Sequence, residues 1–220
     1  TTAFRKIVNL KNARRLVQKL VDKHVHGKRQ EFGYIGRYVT VHARMLLNSW
    51  RLRRHYTELS QLGRFVYYPL HVPGDMALTL RSPQFLDQLA LIDYLARSLP
   101  DTHRIAIKEH PAMIGALDAG RILELLRRHD NLALLPPGTN NYEVLRAAEA
   151  VVSVNSKSGA EAALLGKPVL VLGDAFYRDS PLVTPVEKLT DVPGLMVDAL
   201  GRQGRADQLV VDCYFEAVWR

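Results

Sequence analysis

Cysteine is almost absent from this sequence. Cys213 is the single cysteine among 220 residues, so no disulfide can form within the chain. Long hydrophobic runs are missing too: no apolar stretch approaches the ~18 residues of a membrane span, and the basic stretch from Thr1 to Leu20 lacks the continuous apolar region of a signal peptide. These absences are compatible with a reducing compartment, and we expect a cytoplasmic location.

Several catalytic and binding signatures are also missing. No G-x-G-x-x-G follows the first predicted strand, which argues against an NAD enzyme, and neither a G-x-x-x-x-G-K-[ST] phosphate loop nor a G-x-S-x-G nucleophile turn occurs. His24 and His26 belong to no cluster with zinc-ligand spacing. We therefore expect neither a metal ion nor a cofactor.

Acidic residues are scarce at the start of the chain. Residues 1–64 hold 15 Lys and Arg against 3 Asp and Glu, whereas the remaining residues hold 15 against 19. The basic character is confined to one segment, which speaks against a nucleic-acid-binding domain. Amphipathic helices are predicted over 11–23 and 37–57. Their charges are either simply solvated, or they attach the segment to an anionic membrane face or to an acidic glycan or lipid acceptor.

From residue 64 onward, short strands alternate with helices. Strands are predicted at 65–68, 104–108, 131–135, 150–154 and 168–172, and helices at 83–99, 119–128, 142–148, 159–165 and 207–219. The alternation indicates an α/β domain over residues 64–220 with a Rossmann-like, doubly wound parallel sheet. Ligands of such sheets bind beyond the carboxyl ends of the strands. The loops to inspect are therefore 69–83, 108–118, 136–141 and 153–160, with 173–184 as a rim.

The turn after the fourth predicted strand reads Ser-Val-Asn-Ser-Lys-Ser-Gly-Ala-Glu. Its hydroxyl groups, its glycine and the helix N-terminus suit a phosphate, the lysine adds a cation, and a glutamate in the first helical turn can accept hydrogen bonds from a ribose diol. The residues concerned are Ser153, Ser156, Lys157, Ser158, Gly159 and Glu161. The alternative is an ordinary capping box formed by Ser158 and Glu161.

The second predicted strand is followed directly by Lys108-Glu109-His110-Pro111. Pro111 fixes the turn and holds the preceding residue extended, which directs His110 out of the sheet edge. A histidine there can donate to a phosphate or stabilise a leaving group. The alternative is a histidine that satisfies a backbone carbonyl. Lys108 belongs to the same candidate site.

Further polar and aromatic residues fall in the remaining loops. They are His71, Asp75, Asp87, Gln88, Asn141 and Tyr177. Asp87 opens a predicted helix, where it either faces the cleft or satisfies the helix dipole. Asn141 binds a base edge or caps a helix, and Tyr177 either covers a ligand or only packs.

Six motifs follow one another in these loops and elements: YYPLH at 67–71, FLDQL at 85–89, KEHP at 108–111, SGAEA at 158–162, LGKPV at 165–169 and GDAFY at 173–177. The ordered set resembles the capsule polysaccharide biosynthesis family, which includes the retaining β-Kdo transferases that act on CMP-Kdo. The resemblance covers roughly residues 64–190, most of the chain after the basic segment.

The resemblance implies a GT-B glycosyltransferase whose C-terminal lobe binds the sugar nucleotide. By that resemblance, His110 and Pro111 contact the nucleotide phosphate, the turn from Ser153 to Gly159 holds the same phosphate, and Glu161 holds the ribose. Many relatives have Thr-Gly-Thr-Ala-Gly-Trp-Glu where 155–161 here reads Asn-Ser-Lys-Ser-Gly-Ala-Glu. Residues 1–63 are then a basic connector or the remnant of an N-terminal lobe, and we expect the chain, which does not begin with Met, to be a piece of a longer protein.

The leading hypothesis is transfer of a sugar, best matched by Kdo from CMP-Kdo, to a glycolipid or polysaccharide acceptor on the inner face of the bacterial inner membrane. Double displacement needs a carboxylate nucleophile, for which Asp87 is the candidate, and a cation or acid at the leaving phosphate, for which His110 is the candidate. One alternative is a nucleotide-sugar 2-epimerase of the GT-B fold, although such enzymes usually have a denser Gly-Glu-Glu cluster. The other is a non-catalytic module that binds a nucleotide or glycan.

Overall fold

The computed structural model describes residues 10–27, 35–201 and 208–219. Within these ranges one sheet of six parallel strands has the order β3-β2-β1-β4-β5-β6. The strands are β1 (Phe65–Pro69), β2 (Arg104–Lys108), β3 (Leu132–Leu135), β4 (Ala150–Ser153), β5 (Val169–Val171) and the two-residue β6 (Thr184–Pro185). This is the strand order of a Rossmann-like doubly wound sheet, so the predicted fold class is confirmed.

Helices connect the strands and cover both faces of the sheet. They are α1 (Leu10–His24), α2 (Ile35–Leu52), α3 (Met76–Thr79), α4 (Gln88–Ser98), α5 (Ala119–Arg128), α6 (Asn141–Ala147), α7 (Lys157–Leu164), α8 (Val192–Gly201) and α9 (Gln208–Trp219), with 3₁₀ turns at Leu59–Gln61, Pro83–Phe85 and Leu189–Asp191. No helix in the described ranges is both long and apolar enough to cross a membrane.

Alternate residues of each strand supply the two halves of the core. Val66 and Tyr68 face the half that α4, α5 and α8 cover, whereas Phe65 and Tyr67 face the half that α6 and α7 cover. Every residue of β1 is buried, as expected for a central strand of a parallel sheet that is covered on both sides. Because both faces are filled, the carboxyl edge of the sheet is the place left for a ligand.

The helix predicted over 83–99 is wrong in its first turn. Pro83–Phe85 forms a separate 3₁₀ turn, and α4 begins only at Gln88 because Asp87 acts as its N-cap and accepts a hydrogen bond from the Ala90 N–H at 3.2 Å. The helix predicted over 37–57 ends at Leu52. Helices α3 and α8, strand β6 and the 3₁₀ turns at Leu59–Gln61 and Leu189–Asp191 were not predicted.

Helix α2, which belongs to the basic segment, packs against the α/β domain. Met45 and Leu52 of α2 are buried, and Leu52 lies in the same core half as α4 and α5. Beyond the helix, Tyr56 forms a parallel β-bridge with Leu134. The domain boundary placed at residue 64 stays a prediction, but these contacts join the end of the basic segment directly to the sheet.

Candidate functional site

A cavity of about 520 Å³ opens at the carboxyl edge of the sheet. It lies at the β1–β4 junction, where the chain winds in opposite directions to either side, which is the usual ligand position in a doubly wound sheet. Its walls come from the loops after β1, β2 and β4 and from the start of α6 and α7. Of the residues predicted from the sequence, the cavity is lined by His71, Asp75, Lys108, His110, Pro111, Asn141, Ser156, Lys157, Ser158 and Glu161.

The hydroxyl-rich turn is built around Ser156. Ser156 is the N-cap of α7, and its Oγ accepts the Ser158 N–H at 3.2 Å. The fully buried Ser153 lies beneath the turn, where its Oγ accepts the Ser156 N–H at 3.1 Å. The capping box predicted for Ser158 and Glu161 is therefore not the cap of this helix. Instead, α7 presents its N-terminus, with Lys157 as the first residue, to the cavity.

Tyr177 supports this turn from below. Its hydroxyl lies 2.8 Å from Ser153 Oγ and donates to the Ser156 carbonyl at 2.6 Å. Only 2% of Tyr177 is exposed, so of the two predicted roles the structure gives it packing rather than covering a ligand. The hydroxyl also fills the space beside Gly159, where a Cβ atom would lie only 2.1 Å from it. Ser153, Gly159 and Tyr177 thus shape the turn without lining the cavity.

At the other end of the cavity, Asn141 gathers three side chains. Its Oδ1 accepts the Tyr67 hydroxyl at 3.1 Å, and its Nδ2 donates to Ser158 Oγ and to Glu161 Oε2, each at 3.1 Å. The contact with Glu161 fixes which side of the amide carries the NH₂ group, because a carboxylate can only accept a hydrogen bond. Asn140, not Asn141, caps α6. Asn141 is free for the site and orients the Glu161 carboxylate.

Lys108 adds a cation near this carboxylate. The side chain is 5% exposed and its Nζ donates to the Thr139 carbonyl at 3.0 Å. Burial lowers the pKa of Lys108, while the negative charge of Glu161 opposes that shift. The hydrogen bond to the Thr139 carbonyl holds the Lys108 amine in the cavity wall.

His110 and Pro111 form the exposed bend at the end of β2. The His110 Nδ1 accepts the Ala112 N–H at 3.2 Å. In the neutral ring the proton therefore lies on Nε2, which makes that nitrogen the donor. The predicted alternative, in which the ring satisfies a backbone carbonyl, does not match this contact. The bend and the hydroxyl-rich turn converge on one cavity.

His71 links the loops after β1 and β4. Its Nε2 accepts the Asn155 N–H at 3.1 Å, so the proton of the neutral ring lies on Nδ1, which is buried without a partner among the described residues. Burial lowers the pKa of His71 to about 4, and His110 adds to that shift while Asp75 opposes it. Gln88 does not line the cavity but holds the His71 backbone through hydrogen bonds to both N–H and C=O, at 2.7 and 3.1 Å.

Glu109 and Asn155 also line the cavity, although sequence reasoning did not single them out. Burial raises the pKa of Glu109 to about 7, against one opposing hydrogen bond from the Gly115 N–H at 2.9 Å. Asn155 donates from Nδ2 to Ser82 Oγ at 2.9 Å and to the Ala77 carbonyl at 2.5 Å. The position of Glu109 beside His110 in the KEHP motif could have identified it as a site residue. No local sequence feature identified Asn155.

The structure places Asp87, the candidate nucleophile, outside the cavity. Its carboxylate caps α4 and forms an ion pair with Arg121 of α5, at 2.8 Å from Oδ2 to Nη2. This hydrogen bond with Arg121 is the main reason for the lowered pKa of Asp87. Of the two predicted positions, the structure therefore favours the dipole and cap role. Asp75 does line the cavity, and its Oδ1 also caps the short helix α3 by accepting the Ala77 N–H at 3.3 Å.

Within residues 10–27, 35–201 and 208–219, no group of three or more His, Cys, Asp or Glu side chains is arranged to hold a metal ion. The ammonium groups that line the cavity are those of Lys108 and Lys157, and its carboxyl groups are those of Asp75, Glu109 and Glu161. The arrangement can hold an anion at one end and a hydroxyl-bearing group at the other.

The chain matches a family model described as capsule polysaccharide biosynthesis protein over residues 3–189. Among curated proteins, Protein FixF of Sinorhizobium fredii (strain NBRC 101917 / NGR234) is 32% identical over 133 residues, which are 60% of this chain and 32% of FixF. The chain thus spans about a third of the length of that relative.

Two solved structures from Thermosulfurimonas dismutans KpsC are also similar. The KpsC beta Kdo 2,7 transferase is 22% identical with a TM-score of 0.48, and the match covers 77% of this chain and 53% of that one. The KpsC beta Kdo 2,4 transferase is 17% identical with a TM-score of 0.45, and the match covers 73% of this chain and 55% of that one.

Proposed function

This chain belongs to the capsule polysaccharide biosynthesis family, and we propose that it is the nucleotide-sugar-binding lobe of a glycosyltransferase that builds a bacterial surface polysaccharide. One observation carries the proposal: the His110–Pro111 bend and the turn at Ser156–Ser158 line the same cavity at the carboxyl edge of the sheet. An anion that is held between a histidine donor and a helix N-terminus is how a nucleotide phosphate is bound in many α/β domains.

We assign the two ends of the cavity to two parts of the nucleotide. The His110 Nε2–H, the Lys157 ammonium and the first turn of α7 bind the phosphate, and their positive charge stabilises it as it leaves the sugar. Glu161, oriented by Asn141, accepts hydrogen bonds from the ribose hydroxyls. The cavity volume of about 520 Å³ is of the size that small-molecule ligands occupy.

The donor that we propose is CMP-Kdo, and the acceptor is a growing glycolipid or polysaccharide. The donor rests on the resemblance of the motifs to those of retaining β-Kdo transferases. Asp87 is paired with Arg121 away from the cavity, so we assign the nucleophile of a retaining transfer to a second lobe in the full protein rather than to this residue. On this proposal, neutralisation of the phosphate depends on His110, Lys157 and α7.

Calorimetry with CMP, UDP and GDP tests the proposal on the wild type and on His110→Ala. We expect CMP to bind most tightly and the variant to lose about tenfold in affinity, the equivalent of one charge-assisted hydrogen bond. His55→Ala, which removes an exposed histidine outside the cavity, is the matched control. Equal binding by wild type and His110→Ala would remove His110 from the site, and absence of any nucleotide binding by wild type would refute the proposed function.

Product analysis of the full protein separates transfer from its alternatives. A transferase releases CMP and lengthens an acceptor, whereas a 2-epimerase converts a nucleotide sugar without any acceptor. Binding without turnover in the full protein would leave a non-catalytic module as the function.

We also propose that the basic helices attach this lobe to the anionic inner face of the bacterial inner membrane. Helix α1 exposes apolar side chains together with cations: Val17, Leu20 and Val21 are exposed, as are Arg14, Arg15 and Lys19. Exposed valine and leucine next to lysine and arginine match an anionic lipid surface in both polarity and charge.

A further inference from the structure

The loop that carries His110 is held in place by helix α2, and we propose that Asn48 of α2 is a positioning residue for the phosphate end of the cavity. The inference rests on the proposed function, because it concerns the same nucleotide site. It makes a helix of the basic segment part of the nucleotide-binding unit, rather than a connector beside it.

Asn48 spans the gap between the helix and the loop. Its side chain is buried, with 5% exposure, and its Nδ2 donates to the carbonyls of Gly115 and Leu117 at 3.0 and 2.9 Å. Both amide protons are therefore used on one loop that lies 67 and 69 residues further along the chain. A buried amide that satisfies two loop carbonyls is costly to replace, because its loss leaves both carbonyls unpaired.

Gly115 is held by hydrogen bonds to both of its backbone polar groups and by close contact with α2. Its N–H donates to Glu109 Oε1 at 2.9 Å, so side chains satisfy both of its backbone polar groups. Its φ angle is +77°, and a Cβ atom would lie 2.1 Å from the Met45 carbonyl oxygen. Only glycine allows the loop to approach the backbone of α2 this closely. The loop is thus pressed against the helix at one defined point.

Two hydrogen-bonded turns connect Gly115 to His110. The Ala116 N–H donates to the Met113 carbonyl at 3.2 Å, and the Met113 N–H donates to the His110 carbonyl at 2.9 Å. Consecutive hydrogen-bonded turns leave the short loop few degrees of freedom once Gly115 and Leu117 are held. Release of Asn48 would therefore free the bend that carries the phosphate-binding imidazole.

An apolar side chain would be the simpler solution if α2 only needed to dock. Met45 and Leu52, on the same helix, already bury apolar surface against the domain. A buried amide adds directional contacts to that packing, and both of its donors are directed at the loop after β2. The geometry assigns Asn48 to holding the loop rather than to filling the core.

The test compares Asn48→Leu with Asn131→Leu. Asn131 also donates a side-chain hydrogen bond to a backbone carbonyl, that of Ala96 at 2.8 Å, but it lies outside the cavity. Binding of CMP and of cytidine is measured for both variants by titration. We expect Asn48→Leu to weaken CMP about tenfold, the effect of a displaced hydrogen-bond donor, and cytidine less than twofold, while Asn131→Leu leaves the ratio of the two affinities unchanged. An equal loss for CMP and cytidine in Asn48→Leu would reduce Asn48 to a structural role.

Amide hydrogen exchange gives a readout that needs no nucleotide. In Asn48→Leu, the amides of Met113, Gly115 and Ala116 are expected to exchange at least tenfold faster, while those of the turn at 156–159 keep their wild-type rates. Unchanged exchange in the loop would overturn the inference even if CMP binds. Faster exchange in the loop of Asn48→Leu, together with no CMP binding by the wild type, would instead count against the proposed function and leave the loop-holding role of Asn48 intact. Asn48→Ala, which creates no steric clash, serves if the leucine variant fails to fold.

Discussion

Asn141 and Glu161 are joined by a hydrogen bond of 3.1 Å from the amide Nδ2 to the carboxylate Oε2. Asn141 is the first residue of α6, whereas Glu161 lies within α7. The two side chains meet only because both helices start at the same edge of the sheet. The bond leaves Glu161 held in one orientation at the wall of the cavity. The consequence is that the ribose end of the proposed nucleotide site depends on a residue twenty positions away.

Asn141→Asp is expected to weaken ribonucleotide binding about tenfold or more. The substitution removes the NH₂ donor that serves Ser158 and Glu161 and places a second carboxylate beside Glu161, where like charges repel. Calorimetry with CMP and 2′-deoxy-CMP measures the effect, and the preference for the ribonucleotide should fall with the affinity.

Asn140→Asp provides the control for that variant. Asn140 caps α6 through the Tyr142 N–H, and aspartate caps a helix about as well as asparagine. The adjacent substitution adds the same negative charge without touching Glu161. If both variants lose the same affinity, the effect is a general one of charge and the Asn141–Glu161 contact does not orient the ribose site.

Gly159→Ala is expected to distort the hydroxyl-rich turn. A Cβ atom there would lie 2.1 Å from the Tyr177 hydroxyl oxygen and 2.9 Å from Ser153 Cβ, both of which support the turn from below. We expect a loss of about 1 to 3 kcal/mol in the free energy of unfolding, typical of overpacking, together with weaker CMP binding. Chemical denaturation and calorimetry measure the two effects.

Gly194→Ala is the matched control, since Gly194 lies in α8 and, apart from its chain neighbours and the nearby backbone of its own helix, no atom lies within 4 Å of the added Cβ. It should leave stability unchanged or raise it by up to about 1 kcal/mol, because alanine is the better helix former. A double variant that combines Gly159→Ala with Tyr177→Phe should recover part of the lost stability by removing the clashing hydroxyl. No recovery would mean that the hydroxyl alone does not limit this position, since the ring carbon Cζ at residue 177 would still lie 2.8 Å from the added Cβ atom.

The strands could be predicted from local patterns, whereas the internal contacts of the site could not. Arg104–Lys108 is a short run with β-branched residues that is bounded by polar turns, and the structure gives it the predicted limits. Ser158 and Glu161 have the spacing of a capping box, yet Asn141 donates to both and Ser156 caps the helix. A spacing rule considers residues of one helix only, whereas Asn141, which binds both side chains, belongs to a different helix.

Long-range partners explain the other differences as well. Asp87 fell within a predicted helix, but it is the N-cap of α4, which therefore begins only at Gln88. Its ion pair with Arg121 holds the carboxylate away from the cavity. Asn48 reads as one polar residue in an amphipathic helix, and nothing nearby marks its contact with Gly115. The sequence predicts which loops meet at the edge of a parallel sheet; side-chain partners within those loops require the three-dimensional packing.

Replacement of Arg14, Arg15 and Lys19 by glutamine is expected to weaken binding to anionic vesicles about a hundredfold. Each basic residue near such a surface contributes about 1 kcal/mol, and all three side chains are exposed on α1. Sedimentation with phosphatidylglycerol-containing vesicles at low and high salt measures the effect, since screening should abolish it. Lys188→Gln, an exposed lysine outside α1 and α2, is the control. If the wild type binds neutral vesicles as tightly as anionic ones, the membrane proposal is contradicted.

Glu109→Gln is expected to change how stability depends on pH. The pKa of Glu109 is about 7 in the folded chain against an ordinary value of 4.5, so between these values the folded state binds more protons than the unfolded state. Stability therefore falls as the pH rises through this window. Glutamine has no proton to lose, so from pH 5 to pH 8 the free energy of unfolding of the variant should rise relative to wild type by about 2 kcal/mol.

His71 acts in the opposite direction over part of the same range. Its pKa is about 4 in the folded chain, below the ordinary 6.5, so the unfolded state takes up the proton first and stability rises as the pH increases from 4 to 6.5. This contribution is present in wild type and in Glu109→Gln alike, and it cancels in the difference between the two. Urea denaturation at pH 5, 6, 7 and 8 therefore isolates Glu109, and parallel pH profiles for the two proteins would show that its carboxyl group does not titrate near neutrality.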